Sequence, residues 1–275
     1  MAIKKEKTKL GSPDILLFFI TLVLVIFGAI MVTSTSSVVG FSNYDDSYYF
    51  IKKHVVYLCL GAVGFFVGYR IPHQYYKKWA FNGLLLAMVL LIATFIPGLG
   101  VKVGGAQRWL NLGFITAQPV EVVKFFVIVF LAASLSNKGK KMQDFQNGFV
   151  PVVGLLVLPI FLLALQPDLG NIILIAIVSF FLLLLSQTKL LYLLVTSITA
   201  GLFLVISLLL NPYQLDRIKV LLAPWDDPLG KSYHIVQSFI AIGSGGLFGV
   251  GLGQSKLKYF YLPLQYSDFI FSIVC

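Results

Sequence analysis

Charged residues are scarce in this chain, and the few that interrupt its apolar runs are where chemistry can be done. Asp268 enters an aromatic, apolar run, Tyr261-Leu262-Pro263-Leu264-Gln265-Tyr266-Ser267-Asp268-Phe269-Ile270-Phe271. An apolar setting disfavours the charged form of a carboxyl and moves it toward the range in which it works as a general base. Asp268 or Ser267 is equally suited to cap a helix that opens there, and the two roles are compatible. Glu121 and Lys124 stand three apart in an otherwise apolar stretch, so they share a helix face and can pair. Charges inside a membrane span are costly and mark function. The alternative is a structural ion pair at a helix end. Asp168 lies in Gln166-Pro167-Asp168-Leu169-Gly170, where proline disfavours helix for the residue before it and glycine permits a turn. Asp168 either serves the chemistry or caps the helix that follows. The segment itself is either a tight turn at the membrane surface or a broken helix dipping inward.

The elements that must position these groups follow from composition. Of 275 residues, 58% are hydrophobic and 12% charged. A soluble domain carries about 25% charged residues. Mean hydropathy is +0.90. A helical span needs about 20 mostly apolar residues, and seven runs qualify: 15–34, 54–70, 80–97, 119–135, 149–166, 170–186 and 190–210. The first is too long for a signal peptide, and no small-residue cleavage site follows it. The expected fold is all-α, a polytopic transmembrane helical bundle forming one integral membrane domain over 1–275, with a large extracytoplasmic loop after the seventh span.

The net charge of +10 is spread in a way that speaks for a membrane and against nucleic acid. Lys4, Lys5, Lys7 and Lys9 precede the first span. Arg70, Lys77 and Lys78 follow the second, Lys138, Lys140 and Lys141 the fourth, and Lys189 the sixth. The opposite loops before residue 211 hold only Lys52, Lys53, Lys102 and Arg108. Basic loops stay in the cytoplasm, which puts the N-terminus there. The loop from Gly98 to about Pro119 and the segment from Asn211 onward are then extracytoplasmic.

The second of these carries Asp216, Arg217, Trp225, Asp226, Asp227 and Asp268. Long loops usually carry function. Pro224-Trp225-Asp226-Asp227-Pro228-Leu229-Gly230 is a turn-forming cluster, or simply a surface loop with tryptophan at the interface. Gly245, Gly249 and Gly253 repeat every four residues, a spacing that lets helices approach closely. A nucleotide loop is excluded, because the G-x-G-x-x-G register, a preceding strand and a following G-K-[ST] are all missing. His54, His73 and His234 are scattered and fit no zinc spacing. Cys59 and Cys275 imply no disulfide framework. No nucleophilic triad is visible. Carboxylates with basic residues on the outer side suit a lipid-linked, negatively charged substrate better than covalent hydrolysis.

Several of these segments, in this order, resemble the SEDS proteins (shape, elongation, division and sporulation). The resemblance runs from about Asp14 to the last residue. It is carried by Met31 to Ser37, by Gly105-Ala106-Gln107-Arg108-Trp109-Leu110-Asn111-Leu112-Gly113, and by Gln118-Pro119-Val120-Glu121 with Lys124. It continues through Gln166 to Gly170, Pro224 to Pro228, Gln237-Ser238 with Ala241 to Leu247, and Leu262-Pro263 with Asp268 to Phe271. Within the family it is closer to the division members than to the elongation members, on Pro224 to Pro228, Gly251-Leu252-Gly253 and Lys258 before Tyr261. Three departures stand out: Val120 where Ser or Ala is usual, Ala223 where Asp or Asn is usual, and Leu264 to Ser267 in place of the usual Pro-Glu-x-His-Thr context. The family typically has about ten spans, so the chain is expected to be C-terminally shortened.

The resemblance implies a peptidoglycan glycosyltransferase that polymerises lipid II, with a class B penicillin-binding protein and other division proteins as partners. It implies Asp268 as general base on the acceptor hydroxyl. The departing pyrophosphate needs positive charge. Arg108, Lys102, Arg217, Lys219, Lys256 and Lys258 are the candidates, with Trp109 anchoring Arg108 at the interface. A divalent cation, Mg or Mn, could share that task. Glu121, Lys124 and Asp168 are expected to shape the cavity. Two rival classes remain: a flippase for lipid-linked precursor, for which inverted-repeat symmetry would speak and is not seen, and a non-catalytic scaffold.

Overall fold

A chain crossing lipid must satisfy its backbone hydrogen bonds within each segment, so apolar runs of this length fold as helices. The computed structural model describes residues 14–103, 106–113, 116–210, 212–246, 249–251, 253–255, 262–263 and 266–274. Helices α1 (Ile15–Tyr44), α2 (Tyr49–Arg70), α3 (His73–Ala93), α4 (Pro119–Lys138), α5 (Val150–Leu165), α6 (Leu169–Leu184) and α7 (Leu190–Leu210) fall on the seven expected runs. Six helical stretches, all but α6, are long and apolar enough to cross a bilayer. Helix α6 has 16 residues. At 1.5 Å per residue it reaches about 24 Å, short of the roughly 30 Å hydrocarbon core. Turns at Gln166–Asp168 and Leu185–Gln187 trim it at both ends.

The faces of α1 and α2 expose Phe19, Leu24, Phe65 and Phe66 among many other apolar side chains. Such a surface matches lipid tails rather than water. This is a multi-pass membrane protein.

The chain forms two compact units, Ile71–Ser207 on one hand and Met1–Arg70 with Leu208–Cys275 on the other. In the first, α3 packs along α4. Ala80, Gly83, Leu84, Ala87 and Leu91 line the buried face of α3 at helical spacing. Small residues let two backbones approach, which is how helices associate where lipid removes the hydrophobic drive. A Cβ on Gly83 would collide with the Phe126 ring of α4. Leu84 and Leu91 join Val120, Val123 and Val127 of α4, Leu156 and Leu163 of α5, and Ile172 and Ile175 of α6 in one core.

Between α3 and α4 lies a feature absent from the all-helical expectation. Strands β1 (Gly100–Val103), β2 (Ala106–Asn111) and β3 (Thr116–Ala117) form an antiparallel sheet in the order β1-β2-β3. Val101 pairs with Trp109 and Leu110 with Ala117, and an irregularity falls between Val101 and Lys102. The sequence signal was present: two short strand-prone runs flank Gly104-Gly105, a two-residue hairpin pattern.

In the second unit α1 packs on α2, and α10 (Ile270–Val274) packs on both α1 and α9 (Tyr233–Gly245). The stretch after α7, expected as one long loop, is largely helical. It begins with α8 (Pro212–Leu222), turns through a short 3-10 segment at Pro224–Asp226, and continues into α9. The glycine repeat is not a helical stripe. Helix α9 ends at Gly245, and Gly249 and Gly253 have φ of +72° and +80°, where an L side chain is strained. These glycines are needed for the turns of the chain.

The α3–α4 contact sets a first expectation. Gly83→Leu overpacks it and costs about 1–3 kcal/mol of stability. Phe126→Ala in the same chain recovers part of that loss. Thermal unfolding in detergent reads both, and an unchanged melting temperature for Gly83→Leu would contradict the close approach.

Candidate functional site

The charged and polar groups singled out in the sequence gather in two places, one in each unit. In the first unit, α5 ends at Leu165 and α6 starts at Leu169, so Gln166-Pro167-Asp168 is a tight turn rather than a long re-entrant break. Its polar residues are buried, Gln166 2% and Asp168 5% exposed, while Pro167 between them is exposed. Such a turn leaves carbonyls without helical partners, and these must be satisfied by something else.

Arg108 supplies the donors. From β2 its Nε donates to the Gln166 carbonyl at 3.3 Å, and a terminal nitrogen donates to the Pro167 carbonyl at 2.5 Å. The same Nε lies 3.9 Å from the Asp168 carboxylate. The planar fork of arginine presents its donors in a fixed geometry to both carbonyls with the carboxylate beside them, whereas an ammonium is a compact point charge on a flexible stem. The Gln166 side chain extends the network. Thr94 donates its hydroxyl to the Leu91 carbonyl at 2.7 Å, so it must accept from Gln166 Nε2, 2.6 Å away. This settles the orientation of the amide.

Asp168 occupies the N-cap position of α6, yet its side chain makes no capping bond. It accepts from Asn171 Nδ2 at 2.8 Å instead. Glu121 and Lys124 do pair, at 2.7 Å, in the first turn of α4, with Glu121 60% and Lys124 22% exposed. Glu121 therefore stands at the helix entrance, where a negative charge is favoured by the backbone dipole, and not deep in the span. Lys102 is exposed on β1, and Trp109 is half-buried on β2 beside Arg108.

The second place is in the unit that contains α8 to α10. Asp268 lies in the turn Tyr266–Phe269, directly before α10, and it is exposed. The expectation that the aromatic run buries it is corrected here: Phe269 and Tyr266 pack against other aromatics and leave the carboxylate on the surface. Phe50 of α2 meets Tyr266 with ring centroids 4.5 Å apart, and His234 of α9 stacks on Phe269 at 6.1 Å and 9°. Ser238 and Ser272 share a buried 2.7 Å hydrogen bond. Ser238 and Phe269 fall in segments that carry the resemblance, and Tyr266 in one that departs from it, but none of these partners was assigned a role from the sequence. His234 had been weighed only as a metal ligand, and the i, i+4 spacing of His234 and Ser238 was the available clue.

Arg217 and Lys219 are exposed on α8. Lys256 and Lys258 lie outside the described residues. Asp216 of α8 holds Lys231 at 2.6 Å. That hydrogen bond keeps the Asp216 carboxyl below the usual carboxylate range and the Lys231 ammonium above its own. Asp227 accepts from the Lys231 backbone N–H at 2.9 Å, which closes the proline-rich cluster as a turn. Among the described residues no three His, Cys, Asp or Glu side chains gather as metal ligands. No chemical step is routed through a divalent cation here.

Comparison with known proteins now decides the family. A family profile described as "Cell cycle protein", that of FtsW, RodA and SpoVE, matches residues 14–275. The chain belongs to the FtsW/RodA/SpoVE family. A probable peptidoglycan glycosyltransferase FtsW of Trichlorobacter lovleyi is 36% identical over 274 residues, 100% of this chain and 72% of the relative. Stage V sporulation protein E of Bacillus subtilis is 37% identical over 97% of this chain and 73% of its own length. Among solved structures, one described as structural coordination of polymerization and crosslinking by a peptidoglycan synthase complex matches with a TM-score of 0.63. It is 25% identical over 91% of this chain and 69% of that one. A point mutant of the rod shape determining protein RodA of Thermus thermophilus matches with a TM-score of 0.57 at 22% identity, covering 70% of this chain and 60% of its own, and shares the fold. The match to the FtsW/RodA/SpoVE family takes in both compact units, including the Arg108 strand, the Asp168 turn and the Asp268 turn.

Two outcomes are expected from these contacts. Arg108→Ala leaves two turn carbonyls without their donor and Asp168 buried without its cation, at a cost of about 1.5–3 kcal/mol. Arg108→Lys does not restore it, and a melting temperature equal to wild type for either variant would refute the tie. For Asp216, the lowered carboxyl makes its contribution present above about pH 4, the ordinary value, and lost as pH falls through the lowered one. The raised ammonium makes its own contribution present below about pH 10.4 and lost as pH rises through the raised value. Acidification should therefore loosen α8 from the Lys231 turn in wild type and leave Asp216→Asn unaffected. Trp225 emission, with Trp79 and Trp109 replaced by Phe, reads the difference.

Proposed function

We propose that this protein is a peptidoglycan glycosyltransferase that polymerises lipid II into glycan strands during cell division. The observation that carries the reading is the match along the whole chain to relatives named as probable peptidoglycan glycosyltransferases. The similarity to a synthase complex that couples polymerisation with crosslinking supports it. The reading places the chain in the cytoplasmic membrane with its N-terminus in the cytoplasm, following the distribution of basic loops. The Asp268 turn then faces outward, where lipid II is consumed. A class B penicillin-binding protein would supply the crosslinking step, and other division proteins would bring the pair to the septum.

The reaction is an inverting transfer. The 4-hydroxyl oxygen of the acceptor sugar attacks the anomeric carbon of the donor, and the bond from that carbon to the pyrophosphate oxygen breaks. Asp268 takes the hydroxyl proton, and undecaprenyl pyrophosphate leaves as the anion. The developing charge on the leaving group calls for cations. Arg217 and Lys219 of α8 are exposed and of the right sign. Arg108 already holds the Gln166–Asp168 turn, so a direct contact with substrate would fall to the N–H groups not engaged there. Lys102 and Trp109, on the strands beside it, would meet the lipid-linked substrate at the membrane surface. Lys256 and Lys258 are further candidates. Glu121, Lys124 and Asp168 shape the surroundings without moving protons.

Asp268→Asn keeps the size of the side chain and removes the base. The variant is expected to insert normally and to lose polymerisation by a factor of at least about 10². The assay gives labelled lipid II to the full-length protein with its partner and resolves glycan polymer on a gel. Wild-type polymer yield from Asp268→Asn would overturn the base assignment. Absence of polymer from both proteins, with folding and lipid II binding intact, would favour a flippase or a scaffold.

A further inference from the structure

We propose that His234 and Ser238 of α9 are positioning residues that hold the Asp268 turn in register for catalysis. The proposal rests on the glycosyltransferase reading above and names what fixes the geometry of its base.

Asp268 itself makes no hydrogen bond or ion pair to any described residue, and it is exposed in a four-residue turn. Its place is set by its neighbours. Two residues before it, Tyr266 packs on Phe50 of α2 at 4.5 Å. One residue after it, Phe269 stacks nearly parallel on His234. Four residues after it, Ser272 shares its hydroxyl with Ser238 at 2.7 Å. The anchors therefore lie on both sides of Asp268 in sequence and on two different helices. His234 and Ser238 are i, i+4 on α9, so they present their two contacts one helical turn apart on one face. Two contacts separated in this way fix the sliding of the segment along α9, and the ring pair on α2 fixes its tilt.

The serine pair is the informative member. Ser238 is 9% exposed and Ser272 5%, and each hydroxyl would lack a partner without the other. Alanine at both sites would pack two helices as well. A hydroxyl pair adds a direction and a distance, and so selects a single register among the many that an apolar contact permits. Interhelical hydroxyl bonds contribute modestly to membrane-protein stability, so a pair of this kind is better suited to placement than to holding the fold. Placement matters here because the base must reach one hydroxyl proton, and a shift of about 1 Å can cost 10²-fold in rate.

The test uses full-length protein and labelled lipid II, with initial rates taken across lipid II concentration and melting temperatures taken on the same samples. The variants are His234→Ala, His234→Phe, Ser238→Ala, Ser272→Ala, the double serine variant, and Asp268→Asn. His234→Ala and each single serine variant are expected to lose kcat by about 10-fold, with KM within about two-fold of wild type. The orphaned hydroxyl lowers the melting temperature of the single serine variants, and the double variant, with no hydroxyl left unpaired, recovers it while staying slow. His234→Phe keeps the ring stack and retains most of the activity. The double serine variant is no slower than either single one, because the pair acts as one contact. Wild-type kcat in His234→Ala and Ser238→Ala, serine losses that multiply, or losses that follow the melting temperature would each overturn the proposal. The two readings separate cleanly. An active Asp268→Asn defeats the base assignment, whereas an inactive Asp268→Asn beside fully active α9 variants defeats only the positioning role.

Discussion

Every peptide group inside a bilayer must find its hydrogen bond within the protein, and this constraint governs the whole chain. It makes helices out of the apolar runs, and it also makes each break in a helix a liability. The breaks here are closed by charged or polar side chains that reach the backbone. Arg108 donates to the carbonyls of the Gln166–Pro167 turn. Asp144, between α4 and α5, accepts from the backbone N–H groups of Gln146 and Asn147, and Lys138 donates to the Asn147 carbonyl. Asp227 takes the Lys231 N–H. With only 12% charged residues, the chain uses several of them as backbone partners.

This changes how intramembrane charge should be read. A charge in a span is a functional candidate because it is costly. Arg108 and Asp168 show that the cost can also be met by architecture. The pair ties a β-strand of the sheet between α3 and α4 to a helix–helix turn 60 residues away in sequence. Glu121 and Lys124 satisfy each other locally at a helix entrance. In both arrangements the charge has a visible partner, and each is accounted for by the local structure alone.

The seven helices were legible because length and apolarity decide the outcome in lipid, with little for tertiary context to overrule. The shortness of α6 was less so, since Gln166 to Asp168 reads equally as turn or dip until the α5 and α6 ends are seen. The strands were missed because β1 and β2 are only four and six residues long and lie in a stretch read as a loop between two spans, although Val101-Lys102-Val103 alternates as a strand does. The glycine repeat at 245, 249 and 253 gave a false helical period: spacing alone does not report φ, and positive φ is what those glycines supply. Asp268 was singled out by residue type and by family likeness. The likeness marks Ser238 without giving it a contact, and His234 sits on what reads as an ordinary amphipathic face of α9, so the contacts to Phe269 and Ser272 could be seen only in the fold.

The exposure of Asp268 bears on how such a site can work. A carboxylate buried in apolar surroundings is primed before substrate arrives, but burial also closes the approach of a bulky, lipid-linked acceptor. A carboxylate on an outward turn leaves that approach open and is surrounded by water until the substrate covers it. Desolvation then comes from the substrate, and it strengthens the interaction with the acceptor hydroxyl only when donor and acceptor are both in place. Such a base depends less on its own burial than on standing at a fixed position when the cover arrives. Around Asp268 the fixed points are rings and hydroxyls on the flanking residues rather than partners of the carboxylate itself.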